Sequence, residues 1–312
     1  MKTNWKPFTT LILFLFLQIH CAATVHKTGI SLERFRSDLE TKSVLVEGLE
    51  WKYTEKSGTT ETILAVHGFG GDKDHWTRFS RHLSKEFSVI TPDLPGFGES
   101  DKPEGLNYTQ EAQADRLYQF TEILGLKEFH IAGNSMGGGI AGIFAAKYPK
   151  KVKSLILFDN AGIKSPTPSE MQTIELSGKP SPLLVTSPED FDRLLSFTFV
   201  KPPYLPGFLK TYFANKSFAN REWNASILKQ IRKEGYVLEK KLTEIQSPTL
   251  AIWGKEDKVI HYTVMDVLKQ KLKPHLETVL LENIGHAPMI EDPKLSAKLV
   301  QDWIWKLGRQ AK

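Results

Sequence analysis

The sequence is poor in cysteine and in long apolar runs, and both shortages limit what it can be. Cys21 is the only cysteine among 312 residues, so a disulfide framework and a cysteine-based structural zinc site are excluded. The most apolar stretch, Phe8–Ile19, would rise about 18 Å as a helix, whereas the hydrocarbon core of a bilayer is about 30 Å thick. These features exclude an integral membrane bundle.

An excess of one charge sign is also scarce. The 41 basic and 36 acidic residues leave a net charge of +5 and are interspersed along the chain. A nucleic-acid-binding protein would gather its basic residues on one face, so no nucleic-acid partner is expected. The excess predicts at most a weak attraction to anionic interfaces such as a membrane or a lipid droplet. With 40% hydrophobic and 25% charged residues, the chain has the composition of a globular protein.

The first 23 residues are predicted to be a targeting segment. Lys2 and Lys6 precede the apolar stretch, and small residues follow it, which predicts a signal peptide over 1–23 with cleavage before Thr24. A lipoprotein leader ending before Cys21 is an alternative, because Leu17–Cys21 resembles a lipobox, although His20 stands where that motif has a small residue. An uncleaved anchor is the third interpretation. All three predict an exported protein: secreted, periplasmic, or membrane-attached through a lipidated Cys21.

Short β-rich runs alternate with longer helical patterns, which predicts an α/β fold with a mostly parallel sheet flanked by helices. An edge hairpin strand is predicted at Val44–Tyr53. The predicted buried strands are Ile63–Val66, Val89–Ile90, Phe129–Ala132, Leu155–Phe158, Leu250–Trp253 and Val279–Leu281. Ligand sites of such sheets lie at the carboxyl ends of the strands, so the chemistry is expected there.

The alternation stops between Ile163 and Ser247, a segment rich in proline and aromatic residues. We predict an inserted helical cap over 163–247, with helices at Pro188–Phe199 and Ala219–Lys233 and a mobile hinge at Ser165–Pro188. The core is then formed by 24–162 and 248–312.

The motif Gly133-Asn134-Ser135-Met136-Gly137 follows a predicted strand and precedes a predicted helix. This G-x-S-x-G context is typical of a nucleophile elbow, in which Ser135 is held on a tight turn at a helix N-terminus. An overlapping G-x-G-x-x-G pattern runs from Gly137 to Gly142 but begins five residues after the predicted strand ends. A dinucleotide fingerprint should begin where the strand ends, so a nicotinamide enzyme remains only a weak alternative.

A serine nucleophile needs a histidine base oriented by a carboxylate. His286 follows the last predicted strand in a glycine-containing loop and is predicted to be the base, whereas His130 lies inside a strand and His67 is expected to be structural. Asp257, in the loop after Leu250–Trp253, is the candidate acid. Asp159 competes with it because it also ends a strand.

Acyl transfer also needs N–H donors for the developing oxyanion. The loop His67–Gly71 follows a strand and exposes the backbone N–H of Phe69, and the N–H of Met136 would be the second donor. A phosphate loop is excluded, because no Gly-Lys-Ser/Thr follows these glycines. Asp74-His75 suggests a metal, but no zinc-binding histidine motif surrounds it, so neither a metal nor a cofactor is expected.

These loops together resemble the α/β-hydrolase superfamily over nearly all of 40–308. The resemblance is closer to the cold-adapted Moraxella and Psychrobacter lipases and the monoacylglycerol-lipase-like hydrolases. The segments that carry it are His67–Asp74, Asp93–Ser100, Gly133–Gly138, Asn160–Gly162, Lys201–Pro206, Gly285-His286 and Glu291–Pro293. It implies hydrolysis of carboxylic esters, acylglycerols first, without a cofactor. It also implies Ser135 as nucleophile, Asp257 as acid, His286 as base, and Phe69 and Met136 as oxyanion donors.

Other functions stay open at this point. The same fold and triad occur in short-chain carboxylesterases and in hydrolases that cleave carbon–carbon bonds. A non-catalytic binding protein on a hydrolase scaffold belongs to a different class, but a complete triad argues against it. The expected partner is a lipid or small ester substrate, and the chain is expected to be a monomer.

Overall fold

The computed structural model describes residues 22–272 and 275–310. Its centre is an eight-stranded sheet with the strand order β1-β2-β4-β3-β5-β6-β7-β8. The strands are β1 (Glu40–Val46), β2 (Leu49–Lys56), β3 (Glu61–Val66), β4 (Phe87–Pro92), β5 (Phe129–Asn134), β6 (Val152–Phe158), β7 (Thr249–Gly254) and β8 (Leu276–Leu281). Each predicted buried strand lies within one of them.

Most of the sheet is parallel, as predicted. The six strands from β4 to β8 in sheet order pair in parallel, whereas β2 pairs antiparallel with both β1 and β4. Parallel strands are joined by crossovers, so helices cover both faces of this part of the sheet.

The prediction of a single strand over Val44–Tyr53 was wrong, because the structure divides this segment into a hairpin. Val46 ends β1 and pairs with Leu49 at the start of β2. The two residues between them both have positive φ angles, 51° at Glu47 and 80° at Gly48. A two-residue turn of this kind matches the twist of the flanking strands, and the apolar–polar alternation conceals it in the sequence.

Two hydrophobic cores lie on opposite faces of the sheet, and β3 shows how one strand serves both. Ile63 and Ala65 belong to the core that contains Trp76, whereas Leu64 and Val66 belong to the core on the other face. Successive side chains of a strand point to opposite faces, so a strand buried on both sides is apolar throughout.

The helices pack around the sheet and form the insertion between β6 and β7. They are α1 (22–35), α2 (Thr77–His82), α3 (Gln110–Ile123), α4 (Met136–Lys147), α5 (Glu170–Leu176), α6 (Asp190–Thr198), α7 (Gly207–Ala219), α8 (Arg221–Glu234), α9 (Val237–Lys241), α10 (Val264–Lys271), α11 (Pro288–Glu291) and α12 (Pro293–Gln310). Short 3₁₀ helices lie at Lys73–Trp76, Pro149–Lys151 and Leu242–Glu244.

The insertion contains more helix than the sequence predicts. Helices α6 and α8 correspond to the two predicted helices, and α7 lies between them. The predicted hinge contains α5, whose N-terminus carries a capping box: the Ser169 hydroxyl accepts from the Gln172 N–H, and the Gln172 side chain bonds back to the Ser169 N–H. Phe191 of α6 stacks on Phe213 of α7 at 6.4 Å within a small core of the insertion itself.

Helix α1 joins the core to the insertion. Arg34 binds both carboxylate oxygens of Asp74, at 2.7 and 2.6 Å, and the His26 ring packs edge-on against Phe213 of α7 at 4.9 Å. The predicted leader falls mainly on residues 1–21, which lie outside the described residues, and its predicted cleavage site before Thr24 falls within α1. Among the described residues, no helix combines the length and apolar character needed to cross a bilayer.

Candidate active site

Ser135 lies between β5 and α4 in a backbone conformation that residues with a Cβ seldom adopt, with φ 55° and ψ −120°. Such strain costs about 1–3 kcal/mol and persists only where the surrounding structure enforces it. A Cβ at Gly133 would lie 2.2 Å from the carbonyl oxygen of Gly137. A Cβ at Gly137 would lie 2.4 Å from the carbonyl oxygens of Val66 and His67. The two glycines of the motif are therefore required by close packing on either side of Ser135.

His286 and Asp257 meet at the carboxyl end of the sheet. Nδ1 of His286 lies 2.8 Å from Oδ2 of Asp257, and each residue is 5% exposed. The other oxygen of Asp257 accepts from the backbone N–H groups of Val259 and Ile260, at 2.7 and 3.0 Å. Because Nδ1 donates to the carboxylate, Nε2 is the nitrogen left to act as a base. Between the two candidate acids, Asp257 is the one that binds His286.

Asn134 connects the loop of His286 with Ser135. Its side-chain amide donates to the carbonyl oxygens of His286, at 2.9 Å, and Phe158, at 3.2 Å. The residue before Ser135 thus holds the backbone of His286 in place. The sequence analysis did not assign Asn134 a role, although its position in the G-x-S-x-G motif indicates a contact near the nucleophile.

The loop after β3 lies against Ser135, because a Cβ at Gly68 would be 3.3 Å from the Cβ of Ser135. His67 shapes this loop: its Nδ1 donates to the carbonyl oxygen of Gly68 at 2.8 Å, and its Nε2 accepts from the N–H of Leu94 at 3.1 Å. Burial lowers the pKa of His67 to about 4, so the ring is neutral and can play both parts. His67 is structural, as the sequence predicts.

The same contacts orient the peptide that carries the Phe69 N–H. The Gly68 carbonyl also accepts from the N–H of Gly71 at 3.1 Å. A peptide C=O and N–H point in opposite directions, so the N–H of Phe69 points away from His67 and Gly71. Met136 is the first residue of α4, where backbone N–H groups have no partner within the helix. Both predicted oxyanion donors thus lie in segments that adjoin Ser135.

The insertion also contacts the loop of His286, which the sequence analysis missed. The N–H of His286 donates to the carbonyl oxygen of Thr198 at 2.8 Å, where α6 ends. One carboxylate oxygen of Glu291 accepts from Gly285, and the other accepts from Val200 and Lys201 beyond α6. These contacts connect residues far apart in sequence, and no local pattern announces them.

Two further groups bear on the question of a metal. Asp159, Asp257 and His286 place side-chain nitrogen or oxygen atoms within 4.8 Å of one another. However, Nδ1 of His286 and both oxygens of Asp257 are already hydrogen-bonded. One remaining carboxylate oxygen, on Asp159, does not make the three- or four-ligand site that a zinc ion takes.

His130 is a core residue, as predicted. Its Nδ1 lies 2.7 Å from the Ser154 hydroxyl and its Nε2 lies 3.1 Å from Glu61, while burial lowers its pKa to about 4. The overlapping glycine pattern lies inside α4, where a Cβ at Gly142 would come within 2.6 Å of the Leu238 side chain. This supports the interpretation of these glycines as packing residues.

Comparison with known proteins identifies relatives of the same kind. A family model described as alpha/beta hydrolase fold matches residues 61–293. Lipase 1 of Psychrobacter immobilis is 42% identical over 269 residues, covering 84% of this chain and 83% of that lipase. Lipase 3 of Moraxella sp. (strain TA144) is 39% identical over 273 residues, covering 86% and 85% of the two chains.

More distant relatives and solved structures agree. Monoacylglycerol lipase abhd6-A of Xenopus laevis is 32% identical over 265 residues, covering 81% of this chain and 77% of that protein. The crystal structure of a membrane phospholipase A, described as a bacterial virulence factor, superposes with a TM-score of 0.89 at 39% identity, covering 95% of this chain and 97% of that one. The resemblance inferred from the sequence is confirmed. The chain belongs to the α/β-hydrolase family, as a serine hydrolase of the lipase and esterase type.

Proposed function

We propose that this protein hydrolyses ester bonds of lipids, acylglycerols first, through an acyl-enzyme formed on Ser135. The observation that carries the proposal is the combination of a strained serine at a helix N-terminus with a hydrogen-bonded His286–Asp257 pair in the loops beside it. A binding protein would have no need of either the strain or the pair, whereas acyl transfer needs both.

In the first half of the reaction, Oγ of Ser135 attacks the ester carbonyl while Nε2 of His286 takes the hydroxyl proton. Asp257 fixes the imidazole tautomer and stabilises its cation. The carbonyl oxygen becomes an anion between the N–H groups of Phe69 and Met136, and the N-terminal end of α4 favours negative charge there. When the carbonyl re-forms, the alcohol leaves with the proton from His286.

In the second half, Nε2 of His286 removes a proton from a water molecule, which attacks the acyl carbon. The resulting anion occupies the same N–H groups. Collapse breaks the bond to Oγ of Ser135, which regains its proton from His286, and the free fatty acid departs.

The preference for acylglycerols is supported by the printed activities of the relatives and by the surface of the insertion. Tyr204 is 90% exposed, and Phe208 and Val200 are also exposed. Not every aromatic residue of the insertion is available to substrate, since Phe191 and Phe213 fill its own small core. The argument for a lipid substrate therefore rests on the exposed group.

A panel of p-nitrophenyl esters from acetate to palmitate, with monoacylglycerols and triacylglycerols, tests the proposal. Ser135→Ala should lower kcat by about 10⁴-fold or more. Ser226→Ala, at an exposed position on α8, is the matched control and should keep full activity. Activity that survives in Ser135→Ala would overturn the assignment. A maximum at acetate or butyrate would identify a short-chain carboxylesterase instead, and silence on every ester would favour carbon–carbon bond hydrolysis or a binding role.

We also propose that the protein is exported through residues 1–23 and acts at a lipid interface, with the insertion 163–247 as a cap over the site. The N-terminus after export distinguishes the routes. An intact mass that begins at Thr24 supports a cleaved signal peptide, whereas one that begins at Cys21 with added acyl mass supports a lipoprotein. A retained Met1 would support an uncleaved anchor.

A further inference from the structure

Asp159 is a buried carboxyl group that the proposed mechanism does not use. It follows β6 directly and is 0% exposed. Its Oδ1 accepts from the backbone N–H of Gly254 at 2.9 Å. Its Oδ2 is buried and has no hydrogen-bond partner in the described part of the chain. Side-chain atoms of Asp159, Asp257 and His286 lie within 4.8 Å of one another, so this carboxyl group adjoins the acid and the base of the site.

Two carboxylates this close together in a buried site do not both keep a negative charge, because each disfavours the ionised form of the other. The hydrogen bonds decide which group is neutral. Asp257 accepts from three donors: His286 and the N–H groups of Val259 and Ile260. Asp159 accepts from one. Asp257 therefore takes the charge, and the proton remains on Asp159.

The surroundings of Asp159 favour the same assignment. Burial raises its pKa well above the ordinary value, and the negative charges of Asp257 and Glu291 raise it further, while the single N–H of Gly254 opposes them. The hydroxyl of a protonated Asp159 has one oxygen in need of a partner, Oδ2, and an anionic acceptor beside it.

We propose that Asp159 is a positioning residue that stays protonated and donates its proton from Oδ2 to the carboxylate of Asp257. This deepens the proposed function and rests on it. The donated hydrogen bond leaves one negative charge beside His286 and holds the Asp257 carboxylate in the orientation that Nδ1 of His286 requires. It also stabilises the Asp257 anion, which moderates how strongly that anion raises the basicity of His286.

Two substitutions at this position separate the proposal from a merely structural role. Asp159→Asn keeps an oxygen for Gly254 and places an N–H₂ donor where the proposal places the hydroxyl. Asparagine also tolerates the positive φ of 44° found here. Asp159→Ala removes the donor altogether. The pH profile of kcat/KM on p-nitrophenyl butyrate is the readout, and thermal unfolding reports the stability of each variant.

We expect Asp159→Asn to retain kcat/KM within about threefold and to keep the acid limb of the profile in place. Asp159→Ala should lose about tenfold, as expected for one hydrogen bond to a charged group, and its acid limb should move to higher pH. Equal losses in both variants would overturn the proposal, because they would mean that the charge of Asp159 matters. An alanine variant that is less stable but has the wild-type profile would also overturn it.

A second pair of variants covers the case in which Asp159→Ala does not fold. In Asp257→Asn the neighbouring charge is gone, so Asp159 can ionise and take over part of the acid's role. Asp257→Asn should therefore be at least about tenfold more active than Asp257→Asn/Asp159→Asn. Equal activities would overturn the proposal. Failure of the proposed function would be recognised separately, as ester hydrolysis that persists in Ser135→Ala.

Discussion

Replacing Gly137 by alanine should remove most of the activity without unfolding the protein. The new Cβ would lie 2.4 Å from the carbonyl oxygens of Val66 and His67, whereas ordinary contact begins at 3.4 Å. Either the serine turn or the end of β3 must therefore move by about 1 Å. A displacement of that size at a catalytic centre costs about 100-fold in rate, and overpacking costs about 1–3 kcal/mol of stability.

The assay is kcat/KM on p-nitrophenyl butyrate beside urea denaturation of the same preparation. Gly308→Ala in α12 is the matched control, because its Cβ would meet nothing within 4 Å. Alanine is favoured over glycine in a helix by at most about 1 kcal/mol, so this control should be as active as the wild type and slightly more stable. Wild-type kcat/KM in Gly137→Ala would refute the argument that the turn and β3 are too close for a side chain.

Two further predictions concern charge and hydrogen bonding around the site. Lys73 is buried, with Nζ 2.8 Å from Oδ2 of Asp93, whose pKa is raised to about 6 by burial. This raised pKa means that the group's contribution to wild-type stability is complete near pH 4 and falls as the pH rises through 6. Lys73→Met should therefore lower the free energy of unfolding by about 3–5 kcal/mol at pH 8, where the carboxylate is left unpaired, and by much less at pH 5. Urea denaturation at both pH values measures the difference, with exposed Lys298→Met as control, and an equal loss at both would contradict the reasoning. Asn134→Ala removes the donor to the His286 carbonyl and should cost about 1–3 kcal/mol of stability together with a lower kcat, because the loop of the base is released. Unchanged kcat would show that this bond does not position the base.

The nucleophile turn was predictable because its requirements are local. A strand, a serine between two glycines and a helix follow one another within about twenty residues, and the close approach at Gly133 arises within that same segment. The strands were predictable for a similar reason, since a strand buried on both faces must be apolar throughout. The hairpin turn at Glu47–Gly48 was missed because alternation continues on both sides of it.

The insertion was harder to predict. Its aromatic residues announce that something apolar is packed there, but not whether they pack on one another or on a substrate. Phe191 and Phe213 pack on each other, whereas Tyr204 is exposed. Helix α5 depends on a capping box of two side chains, a signal weaker than the prolines around it.

The sequence by itself determined the class of chemistry, because a serine turn and a histidine at a strand end need only local order to be recognised. Tertiary structure alone decided which acid binds His286. Asp159 and Asp257 both follow strands, and their local sequences do not rank them. The pairing of β6, β7 and β8 brings both carboxyl groups to His286, and the hydrogen bonds formed there give the contact to Asp257 and leave Asp159 beside it. Such a choice depends on distances between segments far apart in the chain, which no local pattern encodes.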